Sequence, residues 1–310
     1  MLIALLTLAC GQYIDAADAD ALCADGDTNF SAEVSVAGRD ALTDATRLGH
    51  YGLTGLLVSH TYDETWNGGT VRSVDYTAMN RTPDAGVTLG DTLANMASVD
   101  PLALDGHEEA LAFWLNLYNA WAIQTALNQL AADPDWAGAS ASTWNGEETG
   151  ATFVMFTTRF VTVDGVQLSL NEVEHGVIRG DFDPSTYDDE PALLDRIEAW
   201  HAGLWGDDPV DARIHMGLNC VSRSCPDVPA RAFTADNVYA TLDDNATRFL
   251  AHTAKGAGPD GISILFSWFR GDFETSFGSV QDFVRTYRES GDADVNYDAT
   301  LDYDWSLNGA

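Results

Sequence analysis

The stretch 108-EEALAFWLNLYNAWAIQTALNQL-130 decides how the rest of the chain has to be arranged. At helical rise it makes a rod about 35 Å long. Asp105 followed three residues later by Glu108 is a capping-box pattern that opens it. Phe113, Trp114, Leu117, Tyr118, Trp121 and Ile123 spread around nearly its whole circumference. A helix that is apolar on every side belongs in an interior, so the fold is expected to form around this one. Asn116 and Asn119 lie three positions apart on neighbouring points of one face. Buried amides need partners, so the pair either ties the helix to adjacent backbone or lines a site.

Beyond the helix, Asp164-Gly165 supplies a hairpin turn after the β-branched run Phe160-Val161-Thr162-Val163. Ser169 with Glu172 is a second capping box, starting a helix LNEVEHGVIR at 170–179. Leu170, Val173, Val177 and Ile178 form its apolar stripe, and Glu172, His175 and Arg179 share another face. Pro191 opens an amphipathic helix carrying Leu194, Ile197 and Trp200. In DARIHMGLNCVSRSCP (211–226) the alternation of Ile214, Met216 and Leu218 against His215, Gly217 and Asn219 predicts a short strand. It runs into a polar turn, Ser222-Arg223-Ser224, and stops at Cys225-Pro226. Thr234 is expected to cap a helix reaching about His252, with Phe233 and Val238 as a hydrophobic staple. Gly261 to Ser267 reads as a strand, Ser279 to Glu289 as a helix, and VNYDATLDYDWSLN (295–308) as extended structure anchored by Tyr303 and Trp305. On the N-terminal side, 41–99 is mixed, with glycines at Gly68-Gly69 and a short helix about Asp91 to Met96. This interleaving predicts one α+β domain over 41–310, a small, mostly antiparallel sheet packed on a long buried central helix with further surface helices.

Composition narrows the partners. Against 48 acidic residues stand 15 basic ones, a net charge of −33, and the single lysine is Lys255. Phosphate backbones are bound by clustered Lys and Arg, so no nucleic-acid partner is expected. The acidity reads as a solvated, self-repelling surface suited to high salt. The N-terminal MLIALLTLACGQ is too short to span a bilayer and reads as the apolar part of an export signal, although it lacks a positive start. Leu8-Ala9-Cys10-Gly11 resembles the cleavage box of bacterial lipoproteins, with Thr7 the imperfect position. Residues 1–10 are therefore expected to be a signal, 11–40 an acidic tether, and the lipidated Cys10 the only membrane contact of an exported, envelope-held protein. The tether is not a calcium loop, because Gly26 lacks the alternating acids before it. With Cys10 modified, the odd set Cys23, Cys220 and Cys225 remains; Cys220 and Cys225 are close enough in sequence to be bridged.

Four ordered motifs read together: AFWLNLYNAW (112–121), LSLNEVEHGVIR (168–179), ARIHMGLNCVSRSCP (212–226) and YDWSLN (303–308). From about Val74 to Asn308 the chain resembles the domain-of-unknown-function family 547. The resemblance implies that the Asn-Leu-Tyr-Asn, Glu-His, Ile-His and Cys…Ser-Cys-Pro stretches are recurrent features, without implying a reaction. Ala212 stands where relatives often carry proline. A glutaredoxin-like neighbour in some animal members hints at thiol chemistry.

Three functions compete. A thiol hydrolase or acyltransferase acting on a protein, peptide or small molecule needs a cysteine, a histidine base and an orienting carboxylate or amide. The chain offers Cys225 or Cys220, His175 or His215, and Glu172, Glu174, Asn116 or Asn119. Along a strand Cys220 continues the core side of Ile214, whereas Cys225 lies two residues from Arg223, whose charge favours a thiolate. The expected nucleophile is therefore Cys225. His175 is the preferred base, since Glu172 shares its helical face and can fix its tautomer, while Glu174 points elsewhere. The second function is a non-catalytic surface domain with a Cys220–Cys225 disulfide. The third is a metal site of Glu172, His175, His215 and Cys220. No cofactor is implied: G-x-S-x-G and G-x-x-x-x-G-K are absent, and Gly256, Gly258 and Gly261 follow a helix and precede a strand, the reverse of the dinucleotide fingerprint.

Overall fold

The computed structural model describes residues 48–138, 143–144, 147–148 and 154–309. The expected signal, the tether, Cys10 and Cys23 lie outside the described residues. Helix α1 (His50–His60) runs straight into a hairpin of β1 (Thr61–Trp66) and β2 (Gly69–Val74), in register from Thr61 opposite Val74 to Trp66 opposite Gly69. Its turn residues Asn67 and Gly68 have φ of 44° and 82°. Two left-handed residues match the twist of the flanking strands, and Asn-Gly is the pair best suited to them. The short α2 (Tyr76–Arg81) is capped by Asp75, which accepts the Ala78 N–H at 2.7 Å. Next comes α3 (Pro83–Ala97), longer than the expected 91–96. Gly86 and Gly90 lower helix propensity there, yet both face open space and cost the packing nothing.

The long helix α4 spans His107–Ala132. Ala112, Phe113, Trp114 and Leu115, successive positions that go round the helix, are all buried, as an all-round apolar helix requires. Its N-terminus is tied differently from expectation: Glu109, not Glu108, reaches back to accept the Asp105 N–H at 2.7 Å. After β3 (Thr143–Trp144), β4 (Glu147–Glu148) and α5 (Val154–Thr157), strands β5 (Val161–Val163) and β6 (Val166–Leu168) close the second predicted hairpin around Asp164-Gly165. The Ser169–Glu172 box forms reciprocally, with Ser169 N–H donating to the Glu172 carboxylate at 2.8 Å and Glu172 N–H to Ser169 Oγ at 3.1 Å. What it opens is a π-helix, Glu172–Ile178, rather than an α-helix. The wider turn re-aims side chains, a distortion frequent at functional sites.

Helix α6 (Pro191–Trp205) starts at its proline as predicted. The predicted strand at 214–218 is instead one helical turn, α7 (Ile214–Gly217). Four residues fit periods of two and 3.6 almost equally, and here tertiary bonds to α4 decide. Helix α8 (Val238–Ala251) begins after Asn237, whose side chain accepts the Thr234 N–H at 2.8 Å. The strand expected at 261–267 stops early: β7 (Ala257–Gly258) and β8 (Gly261–Ser263) give way to α9 (Leu265–Trp268) and α10 (Arg270–Phe277). Ser279 caps α11 (Val280–Tyr287) by accepting the Asp282 N–H at 3.0 Å, and β9 (Thr300–Leu301) pairs parallel with β8.

The α+β class holds, with the antiparallel pairing divided among separate small sheets rather than gathered into one. Two apolar clusters result. One surrounds α4; the other is dominated by Phe249, Phe266, Phe273 and Phe283. Each fully buried phenylalanine contributes roughly 1.5–3 kcal/mol, so the second is a core in its own right. Helix α7 lies at their seam, with Ile214 in the first cluster and Met216 in the second. Among the described residues no helix is long and apolar enough to cross a membrane.

Candidate functional site

The two asparagines of α4 are backbone clamps. Asn116 Nδ2 donates to Phe233 O at 2.8 Å while its Oδ1 accepts the Phe233 N–H at 2.9 Å. Asn119 does the same across the α7 exit, donating to Gly217 O at 2.8 Å and accepting Asn219 N–H at 2.9 Å. Asn219 passes the order on: its Nδ2 donates to Pro226 O at 2.6 Å, and its Oδ1 accepts from Val221 N at 2.9 Å and Asn308 Nδ2 at 2.9 Å. The loop between Gly217 and Pro226 is thus held from the rigid helix on one side and from the C-terminal segment on the other. Val221, next to Cys220, has φ of 59°. A β-branched residue in the left-handed region is strained, and such strain persists only where surrounding bonds over-determine it. It turns the chain sharply just after the cysteine.

That turn brings both cysteines to the lining of one cavity. Cys220 is half-buried and Cys225 buried; both are free thiols, with their sulfurs 2.8 Å apart. Cys220 Sγ also lies 3.0 Å from Ser222 Oγ and 3.1 Å from Tyr303 OH. Burial alone raises a thiol's pKa, but hydrogen bonds from Cys225, Ser222 and Tyr303 outweigh it and bring Cys220 down to about 7. Cys225 goes the other way. Burial pushes its thiol well above the usual range, and the negative charge forming on Cys220 adds to that. Its sulfur accepts the Cys220 N–H at 3.0 Å.

Cys220 opens on a cavity of about 420 Å³ that His175, Glu174, His215 and Tyr303 also line. Behind it, His215 Nε2 lies 2.8 Å from Asp272 Oδ2, and the Arg179 Nε donates to the same oxygen at 2.7 Å. Burial opposes ionisation of Asp272, yet these two hydrogen bonds outweigh it and hold the carboxyl down at about 2. An ionised Asp272 accepts, so His215 carries its proton on Nε2. Burial also lowers the His215 pKa, with Asp272 only partly offsetting it, which keeps the ring neutral. Its other nitrogen, Nδ1, is then a bare acceptor, buried and without a hydrogen-bond partner. Phe269 stacks on the ring at 3.9 Å and fixes its plane.

The remaining expected site residues fall into two groups. Glu172 is turned away from His175 and grips Arg159 with both oxygens, at 2.6–3.0 Å. It therefore cannot set the His175 tautomer. Arg179 does so instead, donating from its NH1 to His175 Nδ1 at 2.8 Å, which leaves His175 a donor at Nε2 when neutral. Arg223, expected to favour a Cys225 thiolate, donates to Glu64 and, at 2.9 Å, to Ser73. Cys220 packs against the core cluster of Ile214 and Leu218 as expected, but it also lines the cavity, and the segment before it is a helical turn rather than a strand. Glu174, expected to point elsewhere, faces the cavity. The metal set is not assembled: among the described residues no group of three or more His, Cys, Asp or Glu side chains is placed to hold an ion.

Asp272, Ser222 and Tyr303 went unread as site residues. Asp272 is one of 48 acids, 57 positions from His215, and nothing local marks it. Tyr303 carried a signal, an aromatic in a polar C-terminal stretch, but it pointed only to burial. No curated protein and no solved structure matches the chain. Residues 102–250 match the family model described as "Protein of unknown function, DUF547", a span holding α4, the π-helix and the Cys220 loop, and this is the family that the motifs resemble.

Proposed function

We propose that the protein is a cysteine-dependent hydrolase or acyltransferase in which Cys220 is the nucleophile, His215 the base and Asp272 the group that orients it. The observation carrying this reading is that Cys220 and His215 line one cavity, with His215 Nε2 held by Asp272 and its Nδ1 left without a hydrogen-bond partner. A nucleophile, a base and an orienter in that order make up acyl-transfer machinery. In the first step the Cys220 proton passes to His215 Nδ1 and the sulfur attacks the acyl carbon. As the tetrahedral intermediate collapses, the bond to the leaving group breaks and His215 returns the proton to it. Water, or an acceptor nucleophile, then loses a proton to Nδ1, attacks the thioester and frees Cys220. Tyr303 and Ser222 stabilise the departing thiolate through their hydroxyls. Cys225 and His175, the residues preferred on sequence grounds, support this arrangement rather than carry it out.

The test is acylation by p-nitrophenyl acetate, followed by mass spectrometry of the labelled peptide. The expected result is a burst of p-nitrophenol with one acetyl group on Cys220, lost in Cys220→Ala and in His215→Ala. Iodoacetamide still alkylates Cys220 in His215→Ala, showing that the thiol remains accessible. A label on Cys225, or undiminished acylation in His215→Ala, overturns the assignment. The N-terminal reading adds a location: an exported protein held at the cell envelope through a lipid on Cys10. Cys10→Ser then moves it from the membrane to the soluble fraction, and unchanged fractionation rejects the anchor.

A further inference from the structure

We infer that the cavity beside Cys220 selects a substrate carrying a protonated amine, held by Glu174 against an aromatic wall. The inference rests on this cavity being the substrate site, but not on the thiol chemistry.

The charge balance inside the cavity leads to this conclusion. Arg179 is the cation that lines it, and its guanidinium is consumed: it binds Asp272 at 2.7 Å, Asp181 at 2.9 Å and His175 at 2.8 Å. Asp272 is in turn taken by His215. Glu174 attracts Arg179 and His215 through space, but among the described residues it is in no direct ion pair. It is half-buried and accepts a hydrogen bond from the hydroxyl of the buried Tyr118. A carboxylate that is partly removed from water and unpaired favours an incoming cation and repels an anion. The aromatic part of the lining suits the same ligand. Trp268, Tyr303 and Trp305 form one cluster with ring centroids 4.4–6.1 Å apart, and Trp268 is 45% exposed. Electron-rich ring faces attract an ammonium, and indole does so best. His215, whose Nδ1 has no hydrogen-bond partner, lines the same cavity, so a ligand held there lies beside the proposed reacting groups.

The test compares alkylation of Cys220 by 2-bromoethylamine, iodoacetamide and iodoacetate, each rate divided by that with glutathione to remove intrinsic reactivity. The expected order is cation, then neutral, then anion, with about tenfold or more between the extremes at physiological salt. Glu174→Gln should collapse that ratio. If the ratio survives in Glu174→Gln, the preference is only steering by the whole acidic surface and the inference fails; a preference for iodoacetate also overturns it. A second measurement does not use the thiol: quenching of tryptophan fluorescence in Cys220→Ala by phenethylamine and by phenylacetate. Saturable binding of the amine alone, weakened by Glu174→Gln, supports the inference, and absence of amine binding overturns it. Amine binding together with an inert Cys220 keeps the amine site and rejects the acyl-transfer reading.

Discussion

At the scale of single residues, the proposed reaction gives His215 and Asp272 the parts that the sequence assigned to His175 and Glu172. Asp272→Asn checks it. An amide can donate to Nε2, which shifts the imidazole proton to Nδ1 and removes the base. Acylation by p-nitrophenyl acetate should fall by about a hundredfold or more, while iodoacetamide labelling of Cys220 persists. The same carboxylate carries a pH signature. Its folded value of about 2 lies below the ordinary 3.8, so the unfolded chain takes up the proton first on acidification. Its contribution, about 2 kcal/mol, is complete above roughly pH 4 and is lost as pH falls through about 2. His215, held neutral by burial, loses stability in the same direction. Urea midpoints of the parent and Asp272→Asn should therefore differ near neutrality and converge in strong acid; a constant gap would mean the aspartate is not ionised in the fold. What was legible at this scale was the residue type. The sequence offered cysteines, histidines and carboxylates in the right motifs, but which His meets which acid is fixed across 57 positions and by a helical turn that reads as a strand.

At the scale of elements, local signals were the readable ones. The Asp164-Gly165 turn, the Ser169–Glu172 box, Pro191 at a helix start and the apolar circumference of α4 act within a few residues, and each appears in the fold. The β1–β2 hairpin was overlooked, although Asn67-Gly68 marks its turn, because Tyr62-Asp63-Glu64 breaks any hydrophobic alternation. The π-helix was invisible, since its i to i+5 bonds leave no distinct sequence period. Asn119 is the hinge between element and site. Asn119→Ala strands the Gly217 carbonyl and the Asn219 N–H in a buried place, and unfolding should become easier by about 3 kcal/mol. Melting like the parent would contradict the clamp. A second tie lies under the loop: Lys255 Nζ donates to Cys225 O at 2.9 Å and Asp227 Oδ1 at 2.6 Å, with both side chains buried. Lys255→Met leaves a buried carboxylate short of a partner and should cost about 3–5 kcal/mol, less whatever Arg248 recovers through its own 3.1 Å contact with Asp227. Chemical denaturation measures it, and a neutral result would show that the packing, not the ion pair, holds the loop.

At the scale of the whole molecule, several of the few cations make internal ties, while most acids keep contact with water. Arg159, Arg179, Arg213, Arg223 and Lys255 each hold a carboxylate that fixes one element to another. A surface with net charge −33 repels itself in the compact state more than in the expanded one. Mobile ions screen charges farther apart than about 10 Å at 0.1 M salt, but barely reach pairs as buried as Lys255–Asp227. The two effects separate with ionic strength: added salt removes repulsion among exposed aspartates and leaves the inner ties in place. The melting temperature should therefore rise with sodium chloride from low salt to about 0.5 M. A gain of 1–2 kcal/mol corresponds to roughly 2–4 °C for a chain of this size. Surface ion pairs such as Arg270–Glu274, at 3.6 Å and more than half exposed, are worth too little to reverse the sign. A falling melting temperature would show that exposed pairs, not the uncompensated acids, dominate, and the surface would then have to be read as a salt-bridge network.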